Sequence, residues 1–343
     1  MTTLLENGAV VGQKKNPVFV SWIDFHGRSE GIARRLGIEE WSDGGGSGPL
    51  PLRYLRLWVS TWKYLRRYKP TEVIVMQPPV VALLAVRSAV GKNVRICGDL
   101  HTGTFYDPKW KWSTKLVAKL LGAPNLAIVT NDALAVQAQD HGAEALVLHD
   151  LIETYPEVGE LGEFEDQGLA QLQDKKYVLV PITYSYDEPL EELAAATHLA
   201  AGVVWVFTGR APESFSQACN AANTVFPGFV SREEYLRLLG HANVLLAPTT
   251  EEDTMQRAGY EAMCAGKALV TSDTEVLRDF FGEAALTVPP RAELYADAAN
   301  DAVRRQSELE GSIIELRTRR VREQSAALQR LSEWIHNDLG TRE

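Results

Sequence analysis

The stretch Val244–Asp273, VLLAPTTEEDTMQRAGYEAMCAGKALVTSD, constrains the fold more than any other part of the chain. An apolar run, Val244–Ala247, leads through Pro248 into a polar loop that ends in three consecutive acids, Glu251, Glu252 and Asp253. A helical pattern then runs from Thr254 to Ala265, Gly266 stops it, and a second apolar run, Ala268–Val270, follows. Strand, loop, helix, glycine and strand make a βαβ unit. Strands this uniformly apolar read as the interior of a parallel sheet covered on both faces. The acidic loop therefore falls at the carboxyl end of a strand, where open α/β sheets bind ligands. Glu261 is out of place among Ala258, Tyr260, Ala262 and Met263, because a charge on a largely buried helix requires a partner.

The same alternation runs through the whole chain. The first half gives strands at Pro17–Asp24, Glu72–Met76, Val94–Gly98, Leu126–Thr130 and Ala145–His149. Between them lie helices at Ser29–Leu36 (with Ser29 as N-cap), Leu52–Tyr68 and Pro79–Val90, and one opened by Asn131 or Asp132. An acidic, glycine-bearing stretch at 151–174 reads as a linker. Alternation restarts with strands at Tyr177–Ile182, Val203–Thr208 and Thr224–Phe226. The helices there are Glu188–Leu199, Pro212–Ala222 and Arg232–Leu239, with a short one at Leu277–Phe281. From about Arg291 to Ile335 the chain reads as helix, with an apolar stripe through Ile313, Leu316, Val321, Leu328, Leu331, Trp334 and Ile335. The expectation is an α/β protein of two Rossmann-like, doubly wound domains with a cleft between them. Their expected bounds are 1–160 and 161–325, with residues 326–343 as a helix returning to the first domain.

Composition narrows the functional classes. Residues 1–150 carry a net charge of +5 and the remainder −15, so the two halves suit different neighbours. An overall charge of −10 with no basic recognition motif argues against nucleic-acid binding. Cys97, Cys219 and Cys264 have no paired spacing and read as buried free thiols in a reducing compartment. Residues 1–16 read as a loose lead-in without the apolar core of a signal peptide, and no apolar run is long enough to span a bilayer. The expected location is cytoplasmic. The glycines at 44–48 lack GxGxxG spacing and do not open a helix, so they are no dinucleotide fingerprint.

The unusual polar residues all follow predicted strands: His26 and Arg28; Asp99, His101 and Thr104; Thr183 and Ser185; Gly209 and Arg210; Glu251–Asp253. If the helix begins at Thr254, the free amides of Thr254, Met255 and Gln256 form an end suited to phosphate, with Arg257 adding charge. Glu261, an acceptor-only group, suits a sugar or ribose diol. The plainer alternative makes Asp253 an N-cap and Glu261 half of a salt bridge. His101 either bonds a sugar hydroxyl or a neighbouring loop's backbone, and Asp99 reads as a loop anchor rather than a base. Glu251, Glu252 and Asp253 have the oxygen chemistry of a Mg²⁺ site, but the first half lacks an Asp-x-Asp after an apolar strand, so no metal is expected.

Two basic segments carry tryptophans: Leu52–Lys69, with five Lys or Arg before Lys69 and no acid, and Lys109–Lys119. That combination suits an anionic membrane surface. The alternative is a solvated face whose tryptophans pack on the sheet.

The run Asp253…Glu261-Ala262-Met263-Cys264-Ala265-Gly266-Lys267-Ala268-Leu269-Val270-Thr271-Ser272-Asp273 resembles the signature of retaining GT-B glycosyltransferases of the family 4 type. In that pattern an acid, seven residues and a Glu precede a helix ending in Gly, an apolar strand and Ser-Asp. The likeness extends through Glu275-Val276-Leu277-Arg278 and back through Phe226-Pro227-Gly228-Phe229-Val230, about 50 residues in all. The flavour is that of bacterial polysaccharide-assembly enzymes. The resemblance implies a GT-B fold with a long C-terminal helix crossing back. It implies metal-independent transfer of a sugar from a nucleotide-diphosphate donor to a glycan or lipid-linked acceptor, with retention. It assigns Glu261 to the ribose, Asp253 and His101 to the reacting sugar, the helix N-terminus to the diphosphate, and Gly228-Phe229-Val230 to the base. Thr183, Gly209 and Arg210 join the donor side, and His26-Gly27-Arg28 the acceptor side. No resident cofactor is implied, and lipid-linked acceptors place such enzymes at the inner face of the cell membrane. The chain departs from the pattern in three places. Asp253 stands for the first Glu, Thr254 and Gln256-Arg257 replace glycines, and Thr183–Glu188 lacks the usual Arg and Lys. Those departures keep open a catalytically silent subunit of a polysaccharide complex. A nucleotide-sugar epimerase of the same fold is the other alternative.

Overall fold

The computed structural model describes residues 15–156, 162–166 and 168–337. Most of the expected lead-in lies outside these residues. Among the described residues twelve strands form two six-stranded parallel sheets. In the first, β1 (Val18–Ser21), β2 (Glu39–Ser42), β3 (Glu72–Gln77), β4 (Arg95–Leu100), β5 (Leu126–Val129) and β6 (Ala145–Val147) lie in the order β2-β1-β3-β4-β5-β6. The second contains β7 (Tyr177–Pro181), β8 (Val204–Thr208), β9 (Thr224–Gly228), β10 (Val244–Ala247), β11 (Ala268–Ser272) and β12 (Ala285–Val288), ordered β12-β11-β10-β7-β8-β9. Its central strands β7, β10 and β11 are buried almost throughout, because helices cover both faces. The chain winds outward from β7 through β8 to β9, then returns to start β10 on the other side of β7. This is the Rossmann order, and its switch point lies between β7 and β10. In the first sheet the switch point lies between β1 and β3.

By contacts the chain divides into two units. Among the described residues, the first comprises 15–128, 138–146 and 329–337; the second comprises 129–137, 147–156, 162–166 and 168–328. Two strands escape sequence reading. β2, Glu-Glu-Trp-Ser, is a short polar edge strand with a solvent-facing acid, the kind of edge that resists further pairing. β12 is the opposite edge of the second sheet.

The helix Leu50–Tyr68 buries Leu57, Thr61 and Leu65, while Leu55 and Trp62 are 60% and 40% exposed. Two expectations about packing need correction. The acidic stretch 151–174 is not a loose linker in its described part. Ile152, Phe164, Leu169 and Leu172 are buried in the second unit's core, and Glu234 accepts from the Glu165 and Asp166 amides. The C-terminal helical region breaks into Ala292–Arg304 and Gln306–His336. In the longer helix Val321 is exposed, and the inward position nearby is Gln324, whose Oε1 accepts from the Ile152 amide at 2.7 Å. A polar residue therefore takes a core position because it satisfies a backbone donor there.

The last turns of that helix belong to the first unit. Arg95, at the start of β4, donates to the Ile335 carbonyl at 3.1 Å and to Glu72 at 2.8 Å, and its guanidinium lies 4.8 Å from the Trp334 ring centroid. Trp334 Nε1 donates to the Pro124 carbonyl. Cys97, Cys219 and Cys264 are free and buried. Among the described residues no helix is long and apolar enough to cross a membrane.

Candidate functional site

In the second unit, the segments leaving β7 and β10 flank the switch point. After β10, Thr249 is buried and its amide donates to Ser272 Oγ at 2.8 Å; the Thr250 amide donates to the Asp187 carbonyl at 2.7 Å. The acidic loop is also tied down. Glu252 accepts from the Glu275 amide, the Asp253 carbonyl accepts from Asn131 Nδ2, and the Asp253 carboxylate accepts from Gln137 Nε2, the last two at 2.9 Å. Gln256, extended at φ −74 and ψ 130, reaches back to the Pro248 carbonyl. These bonds hold 253–256 out of helical conformation. The helix consequently starts at Arg257, not Thr254, with Gln256 as N-cap. Thr254, Met255 and Gln256 do not supply its first amides, and Asp253 is not its cap. Gly266 ends it in the left-handed region at φ 64, as the sequence indicates.

Glu261 finds two partners. Arg257, one turn earlier, donates from Nε at 3.1 Å, and the Tyr235 hydroxyl donates to the other carboxylate oxygen. Burial and the Glu261 charge push the Tyr235 hydroxyl well above its ordinary pKa, so it remains a neutral donor. The same two causes raise Tyr155. The Arg257 side chain is half exposed while Glu261 is 12% exposed, so the carboxylate is a fixed acceptor at the rim of the helix.

Around β8 and β9, Gly209 adopts φ 85, and a Cβ there would lie 2.7 Å from the Ile182 carbonyl oxygen. Arg210 lies 5.6 Å from the centroid of Phe229, whose ring is 78% exposed after the left-handed Gly228, while Val230 packs on the core. Thr183 follows β7, and its amide is taken by Glu188. A separate pocket of about 310 Å³ is lined by Asn131, His149, Asp253, Met255, Phe280 and Arg320, among others. There Arg320 stacks on Phe280 at 4.3 Å and donates to the Asp279 and Phe280 carbonyls. The fold thus brings Glu261 to Arg257 and Arg210 to Phe229, and places Asp253 at the pocket.

In the first unit, Arg28 Nε donates to both Asp99 oxygens, at 3.0 and 3.2 Å, and both side chains are essentially buried. His101 Nε2 lies 3.3 Å from Asp99 Oδ2, and the His26 and His101 rings meet edge-on at 4.9 Å. Burial would raise the Asp99 carboxyl, but Arg28 and His101 outweigh it and hold the group well below the usual carboxylate range. Asp99 is therefore the centre of this cluster, a stronger role than the loop anchor expected from sequence. His26, not Ser29, caps the helix Gly27–Leu36, its Nδ1 accepting from the Ser29 amide.

Sequence reasoning missed Tyr235, Glu188, Gln137 and the second role of Asn131. Tyr235 and Gln137 sit on helices distant in sequence from their partners, and no spacing announces them. Among the described residues no group of three or more His, Cys, Asp or Glu side chains is arranged to hold a metal ion.

Comparison with known proteins supports this architecture. Residues 186–305 match the family model described as Glycosyl transferases group 1. A search of curated proteins found no match. Among solved structures, sucrose-phosphate synthase from Thermosynechococcus elongatus superimposes with TM-score 0.68 at 14% identity, covering 93% of this chain and 98% of that one. A UDP-forming α,α-trehalose-phosphate synthase from Burkholderia xenovorans gives 0.69 at 12% identity, covering 94% and 99%. Anabaena HepE in complex with UDP and glucose gives 0.66 at 12%, covering 93% and 98%. The chain has the GT-B fold, and its residues 186–305 are similar to the group 1 glycosyl transferases.

Proposed function

We propose that the protein transfers a sugar from a nucleotide-diphosphate donor to a hydroxyl of a glycan or lipid-linked acceptor, with retention and without a metal. The carrying observation is Glu261, a nearly buried carboxylate fixed by Arg257 and Tyr235 inside the matched domain. A held, acceptor-only carboxylate suits the ribose diol. The exposed Phe229 ring, backed by Arg210, offers a stacking face for a base. The UDP in the Anabaena structure, and the UDP-forming description of the Burkholderia enzyme, favour a nucleotide donor here too.

Catalysis on this reading is mainly electrostatic. Charge builds on the leaving diphosphate as an oxocarbenium-like sugar forms, and arginines and backbone dipoles offset it. Asp253 and His101 are the groups assigned to the sugar. The acceptor side belongs to His26, Gly27 and Arg28, of which Arg28 acts through Asp99 and His101.

The reading also includes contact with an anionic membrane. Leu52, Leu55, Val59 and Trp62 form an exposed apolar stripe along the helix Leu50–Tyr68, flanked by Arg56, Lys63, Arg66 and Arg67. Tyr54 on this helix lies 6.1 Å from Trp110, joining the stripe to the second basic segment, where Trp112 is 69% exposed.

Calorimetry with UDP, GDP, ADP and dTDP tests the donor reading, followed by NMR of the product anomer with the matching donor. Binding by one nucleotide supports it. Binding by none favours the second reading, a catalytically silent GT-B subunit. One observation favours that alternative: the segment after β7 presents Glu188 where the resembled family carries cations.

A further inference from the structure

Tyr184 is one of two non-glycine residues among those described with positive φ, at 61°. Its left-handed turn folds the segment after β7 so that neighbouring amides converge on one point. Successive amides arranged in this way form an anion-binding concavity. Here the chain fills the concavity itself. The Thr183 amide donates to Glu188 Oε1 and Oε2 at 2.9 and 3.2 Å, the Ser185 amide donates to Oε2 at 2.8 Å, and Thr183 Oγ1 adds a bond at 3.3 Å.

The position matters more than the motif. The concavity stands at the carboxyl end of β7, beside β10, at the switch point of the sheet. Gly209 closes one side of the turn, where a Cβ would press on the Ile182 carbonyl and the Tyr184 ring. Asp187 ties the turn to the β10 loop through the Thr250 amide and hydroxyl. The following helix brings Glu191 and Glu192 in its first turn, so no cation in this segment offsets Glu188.

We infer that Glu188 is a specificity-determining residue that holds the amides of Thr183 and Ser185 against a donor phosphate. A phosphate group gains those amides only by displacing the carboxylate. The subsite therefore discriminates against highly charged donors and leaves Arg210 as the cation at the adjacent strand end. Burial raises the Glu188 carboxyl and the Thr183 and Ser185 amides only partly offset it, consistent with a carboxylate held at some cost.

This inference rests on the nucleotide-sugar reading, and the experiment separates the two. Wild type and Glu188→Gln, which keeps an acceptor for the amides but removes the charge, are titrated with nucleoside, nucleoside monophosphate and nucleoside diphosphate of the base that binds best. The variant is expected to gain about tenfold for the diphosphate, less for the monophosphate and nothing for the nucleoside. In the wild type, the Thr183 and Ser185 amide resonances are expected to move on saturation with the diphosphate, a readout that does not depend on how well the variant folds. Diphosphate binding that leaves those amides in place, or an equal gain for the nucleoside, overturns the role of Glu188 and spares the donor reading. Failure of every ligand to bind either protein overturns both.

Discussion

Arg28 and Asp99 meet as a buried ion pair, Nε 3.0 Å from Oδ1, with side chains 2% and 0% exposed. The helix after β1 is thereby bonded to the end of β4, and His101 is set against the same carboxylate. Breaking such a pair leaves an uncompensated buried charge, so Asp99→Asn should cost about 3–5 kcal/mol. A joint Arg28→Met, Asp99→Leu replacement should cost far less. The folded-state pKa of Asp99 is depressed. Its contribution to stability is therefore complete above the unfolded carboxyl value, about 3.9, and is lost as pH falls below it. Denaturant titrations at neutral and acid pH should show the wild-type advantage over Asp99→Asn shrinking only on the acid side. A constant difference would mean the charge is not what stabilises the cluster.

Much of the second sheet is legible in the sequence because its strands are buried on both faces. Val244–Ala247 and the core of β11 read as strands from their apolar runs alone, and Gly266 marks the helix end by its left-handed conformation. The helix start at Arg257 is not legible. It depends on Asn131 and Gln137, more than a hundred residues away, holding Asp253. The oddity of Glu261 is visible in the sequence, and Arg257 at the i,i+4 position follows from helical spacing. Tyr235 does not, since only the packing of two helices brings it there. Burial of Leu57 and Thr61 rather than Leu55 and Trp62 is likewise hidden, because both faces of that helix carry apolar residues.

Glu261→Ala should weaken nucleotide binding by about tenfold or more, the loss expected when a charged acceptor no longer bonds a diol. A 2′-deoxy nucleotide supplies the control. If Glu261 holds the ribose, the deoxy ligand should bind wild type more weakly than the ribo form, and the variant should barely distinguish the two. If the variant retains the wild-type preference for the ribo form, Glu261 serves only Arg257 and Tyr235.

Trp334 should anchor the end of the long helix. Its ring receives Arg95 and its Nε1 reaches the Pro124 carbonyl, so Trp334→Ala should cost about 1–2 kcal/mol from the lost cation–π contact and hydrogen bond. Trp334→Phe keeps a ring face and should recover part of that loss. Hydrogen exchange in β4 should accelerate in the alanine variant. Exchange unchanged across β4 would show that the helix end contributes nothing to the first unit.

The exposed stripe on Leu50–Tyr68 makes a membrane prediction with two separable parts. Electrostatic attraction is worth about 1 kcal/mol per Lys or Arg near an anionic surface and is screened by salt, whereas apolar insertion is not. Changing Lys63, Arg66 and Arg67 to Glu should abolish flotation with vesicles containing phosphatidylserine. Changing Leu55, Val59 and Trp62 to Ser should leave weak, salt-sensitive flotation. Neutral vesicles should carry the wild type poorly in either case. Trp62 fluorescence gives an independent readout, because Arg66 covers that ring at 5.1 Å and insertion would shift its emission to the blue. Equal flotation of wild type and the charge-reversed variant would rule this helix out as the contact surface, leaving Trp62 and its neighbours as an ordinary solvated face.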